Sequence, residues 1–293
     1  MEKHFVKFIP NAGLGNQLYF FTYCNYLKEV LKKDVSLLIL ETHQNGNGDT
    51  LNKEVRNHAL DIADSLGIKI SKINSKWEFF LLRWNKLPFY KSIFRKLLNI
   101  YEEDEWAVFN NPIGKKKYHI NLHTGYYQAY QYLTDNFKHS LRNKIIEQDP
   151  MLKYEISETD VAVHIRRGDF NRFPEIFNLF GTNYYKNALS VIENKISIGK
   201  VYIFSDCFSD IQEEIDFISE NYNVILVENQ SVMQDFRLLM KFCNYAIGNS
   251  TFSWWAVRLS DCLNPLVVVP KSPLKIIKQN SEPYPKDWVI IEN

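Results

Sequence analysis

No run of apolar residues in this chain approaches the ~20 needed to span a bilayer, and no internal repeat or low-complexity tract is visible. A membrane-spanning protein and a repeat array are therefore not expected. The amino-terminal MEKHFVKFIP is too short and too interrupted for a secretory signal, so the expected location is cytoplasmic, with room for peripheral contact at the inner membrane. An excess of charge is missing as well. Lys and Arg number 35 against 34 Asp and Glu, a net charge of +1, which leaves no general electrostatic footprint for nucleic acid. An anion would have to be held by a local cluster.

Cysteine is scarce. Cys24, Cys207, Cys243 and Cys262 stand far apart, with no CxxC pair and no grouping with histidine, so no zinc site is indicated and reduced, mostly buried thiols are expected. No DxD occurs anywhere, and the acidic run Glu102-Glu-Asp-Glu105 reads as a solvated face. The composition, 45% hydrophobic and 24% charged over 293 residues, is that of a soluble globular protein long enough for two domains.

Phe5 to Pro10 predicts a first strand, which runs into Asn11-Ala-Gly-Leu-Gly-Asn-Gln17. Apolar residues at helical spacing follow from Leu18 to Leu31. Strand, glycine loop and helix open a βα unit, and Val35 to Leu40 supplies the next strand. Gly13 and Gly15 would let backbone approach a ligand closely, but no third glycine completes GxGxxG, which argues against a nicotinamide or flavin oxidoreductase. Residues 41–58 read as a polar loop or flap, and the aromatics from Trp77 to Tyr101 as core cover or a platform for sugar rings. A short strand at Tyr118 to Leu122 precedes Tyr126, Tyr127 and Gln128, which could line a cleft. A helix from Asp135 to Glu147 follows, and the domain boundary is expected near residue 156.

Beyond it, predicted strands at 161–165, 201–206, 223–227, 244–248 and 265–270 alternate with helices, the pattern of a parallel sheet wound on both faces. The opening stretch, VAVHIRRGDF (161–170), is a branched, buried-looking strand that ends in fixed charge. Ligands of parallel α/β sheets bind at the carboxyl ends of strands. Side chains alternate along a strand, so Arg166 and Arg167 should divide, one toward the crevice and one toward the protein. A surface salt bridge with Asp169 is the plainer alternative. In DFRLLMKFCNYAIGNSTFSWW (235–255), Asn249, Ser250 and Thr251 sit at a helix start, where free amides and the positive dipole end favour phosphate. Trp254 and Trp255 read as the packing face of that helix. Cations from one strand end and amides from the next would bind a diphosphate without metal.

GLGNQL, GYYQAYQYL, HIRRGDF, YIFSD and NSTFSWW occur in this order, and the set resembles that of glycosyltransferase family 11, the α-1,2-fucosyltransferases. The resemblance implies an α/β GT-B fold of two Rossmann-like domains, 1–156 on the acceptor side and 157–293 for the GDP-sugar, with a cleft between them. It further implies inverting, metal-independent transfer from GDP-β-L-fucose to a hydroxyl, often O2 of a terminal galactose, in an oligosaccharide acceptor. No cofactor and no nucleic acid partner are implied. Carried over by position, Arg166 meets the donor diphosphate and His164 lies near the nucleotide. Asp235 resembles the acid that meets guanine or ribose, Ser250, Thr251 and Phe252 form the phosphate-facing turn, and Gly13, Gly15 and Asn16 face the donor from the other domain. Asp169 and Glu175 are the nearest candidates for a base, and Asp169 could instead orient the arginines. Cys207 stands where the family often has a second Asp after YIFSD, so that strand end is left out of the catalytic set, and Phe170 replaces a common Tyr. Other readings are a sugar- or nucleotide-binding protein without catalysis and transfer of a related deoxyhexose. An adhesion ligand would use the RGD tripeptide 167–169, which here is rooted in a core strand.

Overall fold

The computed structural model describes residues 2–9, 12–40, 59–73, 98–103, 106–110, 119–147, 154–275 and 281–292. The flap at 41–58 and most of the aromatic segment from Trp77 lie outside the described residues. The chain divides into two compact units, Met1–Ile145 with Lys278–Pro283, and Ile146–Ile277 with Tyr284–Asn293.

In the first unit, strands β1 (Lys3–Lys7), β2 (Asp34–Leu40), β3 (Ile70–Ile73), β4 (Leu98–Glu102) and β5 (Ile120–Thr124) form one parallel sheet in the order β3-β2-β1-β5-β4. Helix α1 (Leu14–Asn25) follows β1, and ten of its 12 residues are buried, so it is an interior helix rather than an amphipathic surface one. It begins at Leu14, not Leu18. Gly13 is the N-cap, and Gly15 and Asn16 lie in the first turn. Burial of Leu14, Leu18 and Tyr19 outweighs the roughly 1 kcal/mol that a helical glycine costs, so the expected loop is helix instead. Strand β5 lies two residues later than the sequence suggests.

In the second unit, β6 (Val161–Ile165), β7 (Lys200–Ser205), β8 (Asn223–Leu226), β9 (Asn244–Ile247), β10 (Leu266–Pro270) and β11 (Val289–Ile291) form a second parallel sheet, ordered β11-β10-β9-β6-β7-β8. Strand β11 escapes the sequence pattern because only three residues pair. The helices, numbered after α2 (Asp135–Ile146), are α3 (Thr182–Glu193), α4 (Gln212–Asn221), α5 (Val232–Leu239) and α6 (Thr251–Arg258). The chain steps outward from β6 to β8, then returns to lay β9 on the other side of β6. The sheet therefore has its topological switch point between β6 and β9, the place where doubly wound folds bind ligands.

Every residue of β6 is buried. Val161, Val163 and Ile165 pack against Tyr185, Leu189 and Ile192 of α3 and Ile218 of α4, which leaves Ala162 and His164 for the opposite face. The sequence places the domain boundary near 156, whereas Tyr154 packs edge-on against Tyr202 of β7 and the Tyr202 hydroxyl donates to the Glu155 carbonyl at 3.3 Å. Those contacts draw the chain before 156 into the second unit. The expectation of four reduced thiols is also corrected: Cys243 and Cys262 are joined, with Cα atoms 5.3 Å apart, while Cys24 and Cys207 are free. The pair lies 19 residues apart across α6, a closure that spacing alone does not reveal. No helix among the described residues is long and apolar enough to cross a membrane.

Candidate active site

The charged groups gather where β6 leaves the sheet. Arg167 continues the α3/α4 face, and its guanidinium is buried, donating to the Phe180 carbonyl at 2.7 Å, the Arg166 carbonyl at 3.1 Å and Glu214 Oε1 of α4 at 2.9 Å. Arg166 takes the other side, with 30% of its side chain exposed. Its Nε and Nη2 donate to Asp169 Oδ1 at 3.0 and 2.7 Å, and its Nη1 lies 3.2 Å from Asp206 Oδ2. The guanidinium also stands 5.7 Å from the centre of the Phe170 ring, which stacks on Phe177 at 3.9 Å. The division of the arginine pair expected from alternation is the one observed.

Asp206, set aside in the sequence reading, is central to this geometry. Its Oδ1 accepts from the Arg167 amide at 2.8 Å while Oδ2 faces Arg166. Strands β6 and β7 pair Ile165 with Ser205, so Asp206 stands at the next step, abreast of Arg166. That parallel register is the signal that could have found it. Gly168 is required by the same packing, because a Cβ there would come within 2.1 Å of Asp206 Oδ2. Asp169 is half exposed and holds Arg166 through one oxygen; Glu175 is exposed in the turn that follows.

His164 lies on the face opposite α3, 4% exposed, with its ring 5.7 Å from that of Phe252 on α6. Burial, with Arg166 adding to it, pushes its pKa down to about 3, so the ring is neutral and contributes no cationic charge to an anion. Its Nδ1 is buried without a hydrogen-bond partner among the described residues. Phe252 also meets Phe236 of α5, edge-on at 5.1 Å. Asp235, the neighbour of Phe236, is half-buried in the first turn of α5 and accepts from Gln230 Nε2 at 3.1 Å. Burial raises its carboxyl to about 6, against the lowering effect of that hydrogen bond.

Across the switch point, β9 pairs Ile247 with His164 of β6, so both strands deliver their ends to the same edge. Ser250 caps α6, its Oγ accepting from the Phe252 amide at 3.3 Å. Thr251 and Phe252 are half-buried beside it. Asn249 turns away: its side chain donates to the Asn178 and Pro273 carbonyls at 3.0 and 2.7 Å. Trp254 and Trp255 are buried, as a packing face requires. His164, Arg166, Asp169, Asp235, Ser250, Thr251 and Phe252 thus lie in the second unit around one sheet edge and the helices that cover it. Gly13, Gly15 and Asn16 belong to the first unit, where Asn16 Oδ1 accepts from Gln128 Nε2 at 2.7 Å. Tyr127, expected to line a cleft, is buried and stacked on Tyr23 at 3.8 Å, whereas Tyr126 is 38% exposed. No cluster of three or more His, Cys, Asp or Glu side chains able to share a metal ion occurs among the described residues.

Fold and site define a two-domain α/β protein of the GT-B class, two Rossmann-like units in one chain, with fixed charge at the switch point of the second sheet. The chain belongs to glycosyl transferase family 11, whose model matches residues 11–292. Across 293 aligned positions, 96% of this chain and 97% of the relative, it is 25% identical to an alpha-1,2-colitosyltransferase of Escherichia coli. Over 116 positions, 38% of this chain and 37% of the other, it is 30% identical to the E. coli O-antigen biosynthesis glycosyltransferase WbnK. Among solved structures, the E. coli heptosyltransferase WaaC with ADP aligns over 99% of this chain and 93% of its own, at 9% identity and a TM-score of 0.48.

Proposed function

We propose that this glycosyltransferase moves L-fucose, or a closely related deoxyhexose, from its GDP-linked donor to a hydroxyl of a terminal galactose-type sugar in a glycan, O2 by family expectation. The observation that carries the reading is Arg166, a partly exposed guanidinium held at the switch point by Asp169 and Asp206. In the reaction the bond from the sugar's C1 to the β-phosphate oxygen breaks as the acceptor oxygen bonds to C1 from the opposite face, and negative charge gathers on the departing diphosphate. A planar fork of N–H donors fixed beforehand stabilises that charge as it develops, by several kcal/mol in a site of this kind. The trio Arg166, Asp169 and Asp206 is formally −1, so the arriving diphosphate must displace a carboxylate. Asp169, with 56% of its side chain exposed, is the one free to leave, and once displaced it can accept the acceptor's proton. Asp235 suits a purine or ribose donor group, and the capped start of α6 supplies further amides. We read the reaction as needing no metal.

A second donor has a specific observation behind it, the near full-length similarity to a colitosyltransferase. Purified enzyme should be offered GDP-fucose and GDP-colitose with a panel of β-galactosides, with GDP release measured and the product linkage assigned by NMR. Turnover of one donor at least tenfold faster than the other identifies it. Failure to turn over either donor with any galactoside would overturn the proposal, and activity abolished by EDTA and restored by magnesium or manganese would overturn its metal-free form.

A further inference from the structure

Asn249 belongs to the motif at the start of α6 but turns away from the charged groups, and its amide nitrogen has two partners. Strands β10, β9 and β6 lie side by side. From the loop after the middle strand, Asn249 donates to the Pro273 carbonyl in the loop after β10 at 2.7 Å and to the Asn178 carbonyl in the loop after β6 at 3.0 Å. An NH2 group has a hydrogen for each carbonyl, whereas an aspartate in its place could donate to neither. The two outer loops are also clasped to each other. Asn178 Nδ2 donates to the Ser272 carbonyl at 2.6 Å, the Lys275 amide donates to the Ile176 carbonyl at 2.9 Å, and Phe177 bridges Leu274.

The consequence is the placement of Phe177. Its ring lies against that of Phe170, with 3.9 Å between centres and 3° between planes, and both residues are half-buried. With one face covered by Phe177, Phe170 has the other for the guanidinium of Arg166, which stands over the ring at 5.7 Å. The negative face of an aromatic ring attracts a cation. Asp169 and Asp206, by contrast, meet the N–H groups along the edge of the guanidinium. Among the described residues, Asp206 and the ring are the contacts that still hold Arg166 once a diphosphate displaces Asp169.

We infer that Asn249, Phe170 and Phe177 are positioning residues for Arg166. Asn249 fixes the loop after β6, the loop fixes the ring pair, and the ring pair holds the guanidinium in place when Asp169 leaves. The inference rests on the function proposed above for the identity of the anion that Arg166 meets. Such bracing matters most where charge is developing, because a donor that must first be turned gives back part of the stabilisation it supplies.

Phe170→Leu removes the ring but keeps an apolar side chain, and Phe170→Tyr keeps the ring. Per folded molecule, Phe170→Leu should lower kcat about threefold to fivefold, the size of one cation–π contact at a partly exposed place, with donor KM changed less than about twofold. Phe170→Tyr should retain at least about half the wild-type kcat. Asn249→Ala, which removes both loop bonds, should lower kcat about tenfold. A purely structural role would lower Tm and leave kcat per folded molecule unchanged, and that result would overturn the inference. So would a loss in Phe170→Tyr equal to that in Phe170→Leu. Should Asn249→Ala fail to fold, Phe177→Ala tests the same chain of contacts, with an expected loss of about threefold in kcat. Calorimetric titration with GDP ties the effect to Arg166. Phe170→Leu should weaken GDP binding about threefold in the wild-type background and not at all once Arg166 is replaced by Met, because the ring acts through that residue. Equal losses in both backgrounds would refute the inference. A readout without ligand separates it from the donor assignment. By NMR, the Arg166 Nε–H, bonded to Asp169 at 3.0 Å, should exchange with solvent about threefold faster in Phe170→Leu and Asn249→Ala than in the wild type. That result in an enzyme with no GDP affinity would refute the donor and leave the positioning standing, and unchanged exchange in both variants would refute the positioning whatever the GDP affinity.

Discussion

Replacing Arg167 by Met keeps most of the apolar stem and removes only the guanidinium, which makes it the sharpest test of how the arginine pair is divided. In the folded protein that guanidinium serves the Phe180 and Arg166 carbonyls and Glu214, and Glu214 itself is 6% exposed. The substitution leaves a buried carboxylate without its cation, for which the expected loss is about 3–5 kcal/mol. Against a net stability on the order of 10 kcal/mol for a domain, that is a large fraction. Arg166→Met removes ion pairs whose partners are partly in water, side chains 30, 56 and 22% exposed, and should cost less than about 1 kcal/mol while removing nearly all transfer activity. Urea unfolding followed by circular dichroism gives both numbers by linear extrapolation. The control is Arg167→Met with Glu214→Leu: with both charges gone, at least half the lost stability should return. Equal stability of the two single variants, or no recovery in the double variant, would refute the assignment of Arg167 to the scaffold.

Gly168→Ala should displace Asp206, since the new Cβ would lie 2.1 Å from its Oδ2; a loss of about 1–3 kcal/mol together with a fall in kcat is expected, and a variant with wild-type kcat would show that Asp206 does not help hold Arg166. Asp235, whose carboxyl burial raises to about 6, binds its proton more tightly folded than unfolded, so it makes stability fall as pH rises from about 4 to 6. His123 and His164, both pushed down to about 3 by burial, act in the opposite sense, lowering stability as pH falls from about 6.5 toward 3. Asp235→Asn should therefore gain in Tm over the wild type above pH 6 and not at pH 4; a pH-independent difference would show the carboxyl is not shifted. Reduction of the Cys243–Cys262 bond, which spans 19 residues, should cost about 3 kcal/mol by loop-closure entropy, seen as a lower Tm in dithiothreitol than without it, with Cys243→Ser and Cys262→Ser as the reference for full loss.

Much of the second unit is legible in its residues. Short branched runs alternate with helical spacing from Val161 to Pro270, and the strands found there match that pattern because the central ones, β6, β7 and β9, are buried along nearly their whole length and so are mostly apolar. The two faces at the end of β6 also follow from sequence, since alternation is a local property of the backbone. Where local preference and tertiary packing disagree, packing wins. The two glycines near the amino end suggest a loop, yet the interior position of α1 makes a helix of Leu14–Asn25. The acidic run at 102–105 suggests a wet face, yet Glu103 is half-buried where three amides of the 126–128 loop converge on it, and burial raises its pKa against the lowering effect of those hydrogen bonds.

By itself the sequence determined the class of the strands and helices from β6 to β10 in the second unit, the motif order that marks family 11, and the opposed directions of Arg166 and Arg167. These depend on periodicity and on residue identity, both written along the chain. Only the tertiary structure decided that Asp206 stands beside Arg166, that Cys243 reaches Cys262, and that Gln128 joins Trp106 to Asn16. Each of these joins residues 19 to 112 positions apart, and such meetings are fixed by strand register and by which loops the sheets bring together.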